Sequence, residues 1–369
     1  MKGEPLALER TLPSYGGRCI TEVIPGILAG MDSALIDDEL ASAPTVVVFV
    51  VDGLGWHQLR RHRTLAPTLA AASDISAPVT TVAPSTTATA LTSLTTGATP
   101  GEHGLVGYRL PTRLGLLNTL RWRAGGQDAR VAVPASDLQP VVPFCGRAAA
   151  VVTRSEFRHS GFTAAHLRGG TFWGWNDANG LAESVRDAVD QRYPLVFSYY
   201  DNLDKIAHEF GIGPEYRAVL AGVEQLASAL RDVLPADVPL AVTADHGLVE
   251  VIEPPIMVDA DIVALTSGWS GEARMLWLSA RPGAADELLD ACGRYESTAE
   301  IAPLSRVLDE RWLGRHVTAP ALGRLGDVVL VPRGLTAFTM PDEDVPHHPL
   351  IGRHGGLTAE EMLVPFLVL

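Results

Sequence analysis

Three apolar runs in this chain stop abruptly at acidic residues. Residues 45–51 read Thr-Val-Val-Val-Phe-Val-Val and meet Asp52-Gly53. Residues 194–200 lead into Asp201 and Asp204, and residues 239–244 into Asp245-His246-Gly247. Runs that are apolar at every position, rather than at alternate ones, predict strands buried on both faces, as in the middle of a parallel sheet. Between them lie stretches with helical spacing: 56–72, a small-residue helix closing at Gly97, 176–192 and 214–234. Strands alternating with helices predict an α/β fold, a mostly parallel central sheet with helices on both faces. In such sheets ligands bind in the crevice beyond the carboxyl ends of the strands.

Elsewhere the pattern is less regular. Residues 1–44 carry Pro13, Gly16-Gly17, Pro25 and Gly26, with a helical piece at 30–42, and are expected to form an arm packed on the main domain. Short strands are expected at 117–123 and 148–153. The cluster Phe172-Trp173-Gly174-Trp175 reads as a loop whose rings pack inward, with stacking on a base or aryl group as the alternative. From 251 to 334 the order changes to strand 274–280, helices 284–295 and 298–313, and strand 327–333, which predicts a small inserted α/β subdomain. The catalytic domain is then 45–250 and 335–369, its last element a helix or strand ending at Leu369.

Composition narrows the function. With 47% hydrophobic residues in 369, the chain can bury a large core. Its net charge of −14 excludes the phosphate-coating surface that duplex nucleic acid requires. An acidic protein that handles an anionic substrate needs local positive charge, which bound metal supplies. Cys19, Cys145 and Cys292 form no CxxC pair, which argues against a disulfide framework and against a thiolate zinc site. No apolar run approaches the ~18 residues of a membrane span, and the first residues lack the apolar core of a signal peptide, so no membrane partner is expected and the expected compartment is the cytoplasm.

The candidate chemistry sits where the strands end. Asp245 and His246 stand side by side at a sheet rim. Asp204 and His208 are spaced i, i+4 on one helical face, where both reach one ion, with Asp201 as the local competitor. Asp52 is either a ligand or a helix N-cap. His354, followed by Gly355-Gly356, is a better ligand candidate than His347 or His348 in the turn-rich segment before it. Hydroxyls at 85–87 open the helix that closes at Gly97, where free N–H groups and the helix dipole favour a phosphoryl group; simple capping is the alternative. Six mixed oxygen and nitrogen ligands are too many for one tetrahedral zinc and suit two ions with open positions. Two ions ~4 Å apart are an apparatus for in-line phosphoryl transfer.

The order Asp-Gly, Thr-rich helix start, Asp-x-x-x-His, Asp-His-Gly, His-Gly-Gly resembles the alkaline phosphatase superfamily, and within it the type I phosphodiesterase/nucleotide pyrophosphatase family. The resemblance runs from about residue 45 to the C-terminus and is weakest over 110–190 and 250–340. It implies one zinc held by Asp204, His208 and His354, and another held by Asp52, Asp245 and His246 with a threonine nucleophile bound to it. Counting back ten residues from Gly97 gives Thr87 as that nucleophile, with Thr86 the alternative. It implies two divalent ions, zinc first with manganese or magnesium as alternatives, and a small phosphate-ester substrate cleaved through a phosphothreonine. The Glu102-His103-Gly104 turn also matches, with His103 left structural. Two positions depart from the family pattern. Ala88 stands where a base-stacking aromatic is usual, and Tyr108 where an asparagine contacts phosphate. Arg109 beside it is a candidate contact for an extra phosphate oxygen, which favours monoesters. The alternatives are a phosphomonoesterase, a phosphoglycerate-mutase-like phosphotransferase using Ser85, a sulfatase (which lacks its C/S-x-P-x-R segment here) and a metal-binding scaffold without catalysis.

Overall fold

The computed structural model describes the chain apart from residues 1–5, 31, 32, 34, 342 and 344–349. His347 and His348 therefore lie outside the described residues. At its centre is a six-stranded sheet in the order Phe366–Val368, Leu240–Thr243, Val46–Val51, Leu195–Tyr200, Ala149–Arg154, Thr171–Trp175. Five strands are parallel, and only Phe366–Val368 runs antiparallel, at one edge. Every residue of Val46–Val51 is buried, as its unbroken apolar run requires. Truncating Phe49 in the middle of this strand would cost about 3–5 kcal/mol in lost burial and cavity formation.

Two long helices show how the sequence covers the sheet. Ala178–Asp190 buries Leu181, Ala182, Val185, Ala188 and Val189, and Pro214–Val233 buries Tyr216, Leu220, Val223, Ala227 and Leu230. Both sets recur every three or four residues and form single stripes. The expected helix at 56–72 is two, Trp56–Arg61 and Pro67–Asp74, the second starting at a proline suited to a first helical turn. Of the helix expected at 30–42, Asp38–Ser42 is helical and capped by Asp37, while residues 31, 32 and 34 lie outside the described ones; the arm's longer helix is Val23–Ala29, stopped by Gly30 at φ 60°.

A second sheet of eight strands lies beside the first. Its order is Ala299–Pro303, Val328–Pro332, Met275–Ala280, Thr266–Glu272, Arg109–Thr112, Gly115–Asn118, Arg123–Ala124, Gln127–Asp128. All pairings are antiparallel, and Gly271 opposite Arg109 joins the two halves. Thus the 251–334 stretch shares its sheet with residues 109–128. The helix expected at 298–313 is instead the strand Ala299–Pro303 followed by the helix Leu304–Asp309. Pro303 cannot sit inside a helix, and the edge of Val328–Pro332 offers its neighbours a ladder of hydrogen bonds. Residues 117–123 likewise divide between two strands. The aromatic cluster is no loop: Thr171–Trp175 is the edge strand of the main sheet, paired with Ala149–Arg154. Among the described residues, no helix is long and apolar enough to cross a membrane.

Candidate active site

Three adjacent strands of the main sheet deliver the acids. Val50 pairs with Thr243 and Val51 with Tyr200, so the chain leaves these strands side by side. Asp52 follows the first strand, Asp245-His246 the second, and the helix Asn202–Phe210 follows the third with Asp204 in its first turn and His208 one turn on. His354 arrives from the opposite end of the sequence. The short strand Gly352–Arg353 pairs with Val249–Glu250, just beyond the Asp245-His246 turn, and so brings it alongside. Gly247 is needed for packing: a Cβ there would collide with the Glu360 carbonyl. Gly53, at φ 72°, makes the sharp turn after the first strand.

The three imidazoles are oriented in the same way. Nδ1 of His208 lies 2.6 Å from the Gly352 carbonyl, Nδ1 of His246 3.1 Å from that of Gly247, and Nδ1 of His354 3.1 Å from that of Ser85. Each Nδ1–H donates to a carbonyl, so each Nε2 presents a lone pair to the centre, the arrangement of a metal-ligating histidine. Nε2 of His354 and Nε2 of His208 face each other at 3.3 Å, which two lone pairs do not favour without a cation or proton between them. The carboxylates match. Asp52 Oδ1, Asp204 Oδ1 and Asp245 Oδ2 are buried with no hydrogen-bond partner. Their other oxygens are anchored: Tyr199 donates to Asp52 Oδ2, and the amides of Gly53 and His246 donate to Asp245 Oδ1 at 3.1 and 3.0 Å. Buried, unpartnered carboxylate oxygens are costly unless a cation meets them. Two donor groups converge on that account, Asp52/Asp245/His246 and Asp204/His246/His354. His208 adds its Nε2 3.0 Å from Asp204 Oδ2.

The electrostatics carry the same message. Burial, then the charges of Asp245 and Asp204, holds the Asp52 carboxyl well above its usual range. Asp245 is raised by burial and by Asp204. Asp204 is held below the usual range: burial opposes this, but His208 and His354 outweigh it. His354 is pushed well below an ordinary imidazole by burial and by His246. Three acids and three imidazoles packed together form a mixed oxygen and nitrogen donor set that suits divalent metal.

Thr87 reaches this centre directly. It opens the helix Thr87–Thr96, and its Oγ1 lies 3.0 Å from His246 Nε2. With Nδ1 already donating, Nε2 accepts the threonine proton in this bond. Ser85 is occupied differently: its hydroxyl donates to the Gly356 carbonyl at 2.7 Å and accepts from the Gly355 amide, holding the His354 turn. Thr86 is the N-cap residue by position and faces Glu272. Asp201 stays out of the cluster because Arg154 Nε binds it at 2.5 Å. His103 is structural, buried between the Ser93 hydroxyl at 2.9 Å and the Leu105 amide at 3.1 Å, and burial lowers its pKa to about 3.

A cavity of about 800 Å³ opens over the cluster. Tyr108 and Arg109 line it, with the Arg109 guanidinium 2.8 Å from Glu343 and over the rings of Tyr108 and Trp269. Trp173 and Trp175 are absent from its wall; Trp175 is buried against Tyr200 and under Arg154. Charged wall residues that the sequence did not single out include Lys205, Glu272, Glu343 and Arg353. Lys205 and Arg353 adjoin predicted ligands, which is a usable signal. Glu272 had none, because its place beside Thr86 depends on the second sheet.

Residues 46–357 match the family described as type I phosphodiesterase / nucleotide pyrophosphatase. This chain belongs to that family. It is an enzyme of the phosphodiesterase/nucleotide pyrophosphatase hydrolase type, and the family's metal dependence agrees with the two donor groups. A search of curated proteins finds no significant match. Among solved structures, murine ectonucleotide pyrophosphatase/phosphodiesterase 5, an inactive form in complex with AMP, is similar with a TM-score of 0.64 and 18% identity, over 88% of this chain and 87% of that one. The human protein of the same name gives 0.64 and 16% over the same shares. Phosphonoacetate hydrolase from Sinorhizobium meliloti 1021, in complex with phosphonoformate, gives 0.61 and 17% over 88% and 89%. These likenesses establish the fold, an α/β architecture of the alkaline phosphatase kind.

Proposed function

We propose that this phosphodiesterase-family member cleaves phosphodiester or pyrophosphate bonds through a covalent phosphothreonine on Thr87. The observation that carries the reading is the Thr87 hydroxyl, at a helix N-terminus and 3.0 Å from Nε2 of His246, the residue common to both donor groups. Asp52, Asp245 and His246 would hold one divalent ion and Asp204, His208 and His354 the other, zinc by the balance of imidazole and carboxylate. Such ions supply charge that lowers a hydroxyl's pKa and offsets the phosphoryl oxygens. Thr87 then attacks phosphorus in line, and the P–O bond to the leaving alcohol or phosphate breaks. Water hydrolyses the phosphothreonine and restores the free residue. The amides at the start of Thr87–Thr96 face the phosphoryl group throughout.

Two features support a diester or pyrophosphate over a monoester. The charge of Arg109 is met by Glu343, so it is not reserved for an extra phosphate oxygen. The cavity is large enough to take a group on either side of phosphorus. With Ala88 and Tyr108 at the two departing positions, weak discrimination among bases is expected, together with good turnover of aryl diesters. Because the murine neighbour was solved with AMP, nucleoside diesters belong in the substrate panel.

The test combines metal analysis with the hydroxyls. Purified protein should hold about two divalent ions per chain. Thr87→Ala should lose roughly a thousandfold or more in turnover with metal content and fold intact, and a slow diester should leave its phosphate mass on Thr87. Phosphate on Thr86 or Ser85 would move the nucleophile. Near-full activity in Thr87→Ala, Thr86→Ala and Ser85→Ala alike would reject covalent catalysis by this helix.

A further inference from the structure

The charge of the chain is unevenly distributed. Residues 109–168 hold nine arginines, no lysine and three acids, so the remainder is more acidic still than the −14 of the whole. This segment supplies part of the second sheet and the elements that wall one side of the catalytic cavity, including Arg121, Ser160 and Thr163. Next to that wall is a recess of about 420 Å³, lined by Arg130, Arg158, His159 and Arg168 with no acid among its lining residues. Ser160, Thr163 and Leu167 line both spaces, so the recess adjoins the catalytic cavity.

The three arginines differ in how their charge is met. Arg130 is bound at its Nε by both oxygens of Asp128, at 3.0 and 2.9 Å, and its Nη1 donates to the His159 carbonyl at 2.8 Å. Arg168 donates only to the carbonyls of Ala165 and Val141, at 2.7 and 2.5 Å, which fix the guanidinium without neutralising it. Arg158 lies 4.3 Å over the Phe172 ring, with the Phe172 carbonyl at 3.5 Å. Two full positive charges are therefore held by neutral partners around one concavity. A guanidinium positioned in this way is suited to bidentate recognition of phosphate, sulfate or carboxylate.

We propose that this recess binds a second anionic group of the substrate, borne on the leaving group or on the group retained by phosphorus. The inference rests on the phosphodiesterase reading above and narrows it to diesters or pyrophosphates with a remote phosphate, sulfate or carboxylate. A small anion fits better than an extended polyanion. The charge is confined to a recess, and the acidic remainder of the surface repels a nucleic-acid strand.

The test uses a matched pair of aryl diesters with metal-loaded enzyme: p-nitrophenyl phenyl phosphate and its analogue carrying a carboxylate on the phenyl ring. The expected result is a kcat/KM about tenfold higher for the anionic analogue at low salt, shrinking as salt rises. Arg158→Gln, an exposed change, should remove most of that preference and leave the neutral diester within twofold; adding Arg168→Gln should remove the rest. Equal kcat/KM for the two diesters, or a preference untouched by Arg158→Gln, overturns the proposal. If neither diester is turned over, the phosphodiesterase reading fails by itself, and equilibrium binding of phenyl phosphate and of sulfate decides the recess separately. Binding weakened about tenfold by Arg158→Gln supports it, and unchanged binding overturns it. Duplex or single-stranded DNA binding that falls with the same variant, without any effect on the small anions, would also overturn it in favour of a nucleic-acid surface.

Discussion

The two sheets divide the work of this protein. The parallel sheet brings Asp52, Asp204, Asp245 and His246 to one rim because neighbouring strands end together. Among the described residues, the antiparallel sheet contributes none to the metal-type clusters; it supplies Arg109 and Glu272 to the cavity wall, with Tyr108 just before its strand Arg109–Thr112. In a parallel sheet all the carboxyl ends lie on one side, so chemistry can be assembled from residues that are each strictly local in sequence. In an antiparallel sheet the ends alternate, and what reaches the cavity depends on which strands pair. The difference teaches that donor groups can be gathered wherever parallel strands end together, whereas the wall above them depends on which remote strands pair.

The sharpest way to break this division is to compare single losses on each side. His246→Ala removes the one residue common to both donor groups, and should lower kcat/KM by roughly a thousandfold or more and release bound metal. Asp201→Asn, on the same sheet but tied to Arg154, should keep full metal content and stay within about tenfold. Metal loss in Asp201→Asn, measured by elemental analysis, would mean that the cluster has been drawn around the wrong acid.

The joint between the two regions is the fully buried pair Arg274–Glu361. Arg274, at the turn into a second-sheet strand, donates to both oxygens of Glu361, at 2.9 and 2.6 Å, and Glu361 accepts from the Gly356 amide beside His354. Arg274→Met leaves a buried carboxylate without its cation and should cost about 3–5 kcal/mol, read from chemical denaturation. A loss below about 1 kcal/mol would show that the two regions are not coupled through this contact.

Glu272 separates the regions by pH. Burial pushes its carboxyl up to about 8, with Thr86 and Arg109 pulling the other way. Between its ordinary value of 4.5 and about 8, the folded protein keeps a proton that the unfolded chain has released. Stability contributed by this group is therefore present at low pH and lost as pH rises through that window. Glu272→Gln removes the dependence, so the variant should gain on the parent as pH rises from about 5 to 8, by at most about 1.4 kcal/mol per unit. Denaturation midpoints of the metal-free proteins that stay parallel across this range would contradict it. The smallest effect is expected for Arg109→Ala: a rise in KM of about tenfold with kcat nearly unchanged, since it touches the wall and not the reacting atoms. A loss as large as that of His246→Ala would collapse the division altogether.

Much of the site is legible in local sequence alone. An apolar run ending in an acid, an Asp and a His four apart, and a histidine before two glycines are local patterns. The parallel strands bring each to the same rim without further instruction. Asp52, Asp204, His208, Asp245, His246 and His354 are thus singled out as candidates by local sequence, and Thr87 by the family resemblance; the structure brings all seven to one place. Tertiary structure decided what depends on partners remote in the chain. Ala299–Pro303 is a strand only because Val328–Pro332 offers it an edge, and Thr171–Trp175 only because Ala149–Arg154 does. Asp201 is tied to Arg154, the Ser85 hydroxyl to Gly355 and Gly356, and Glu272 is set in the wall by a sheet joined across Gly271 and Arg109. Local spacing encodes which residues share a helix face or a strand end; it carries no record of pairings between segments remote in the chain, whose free energy appears only when both surfaces are buried together.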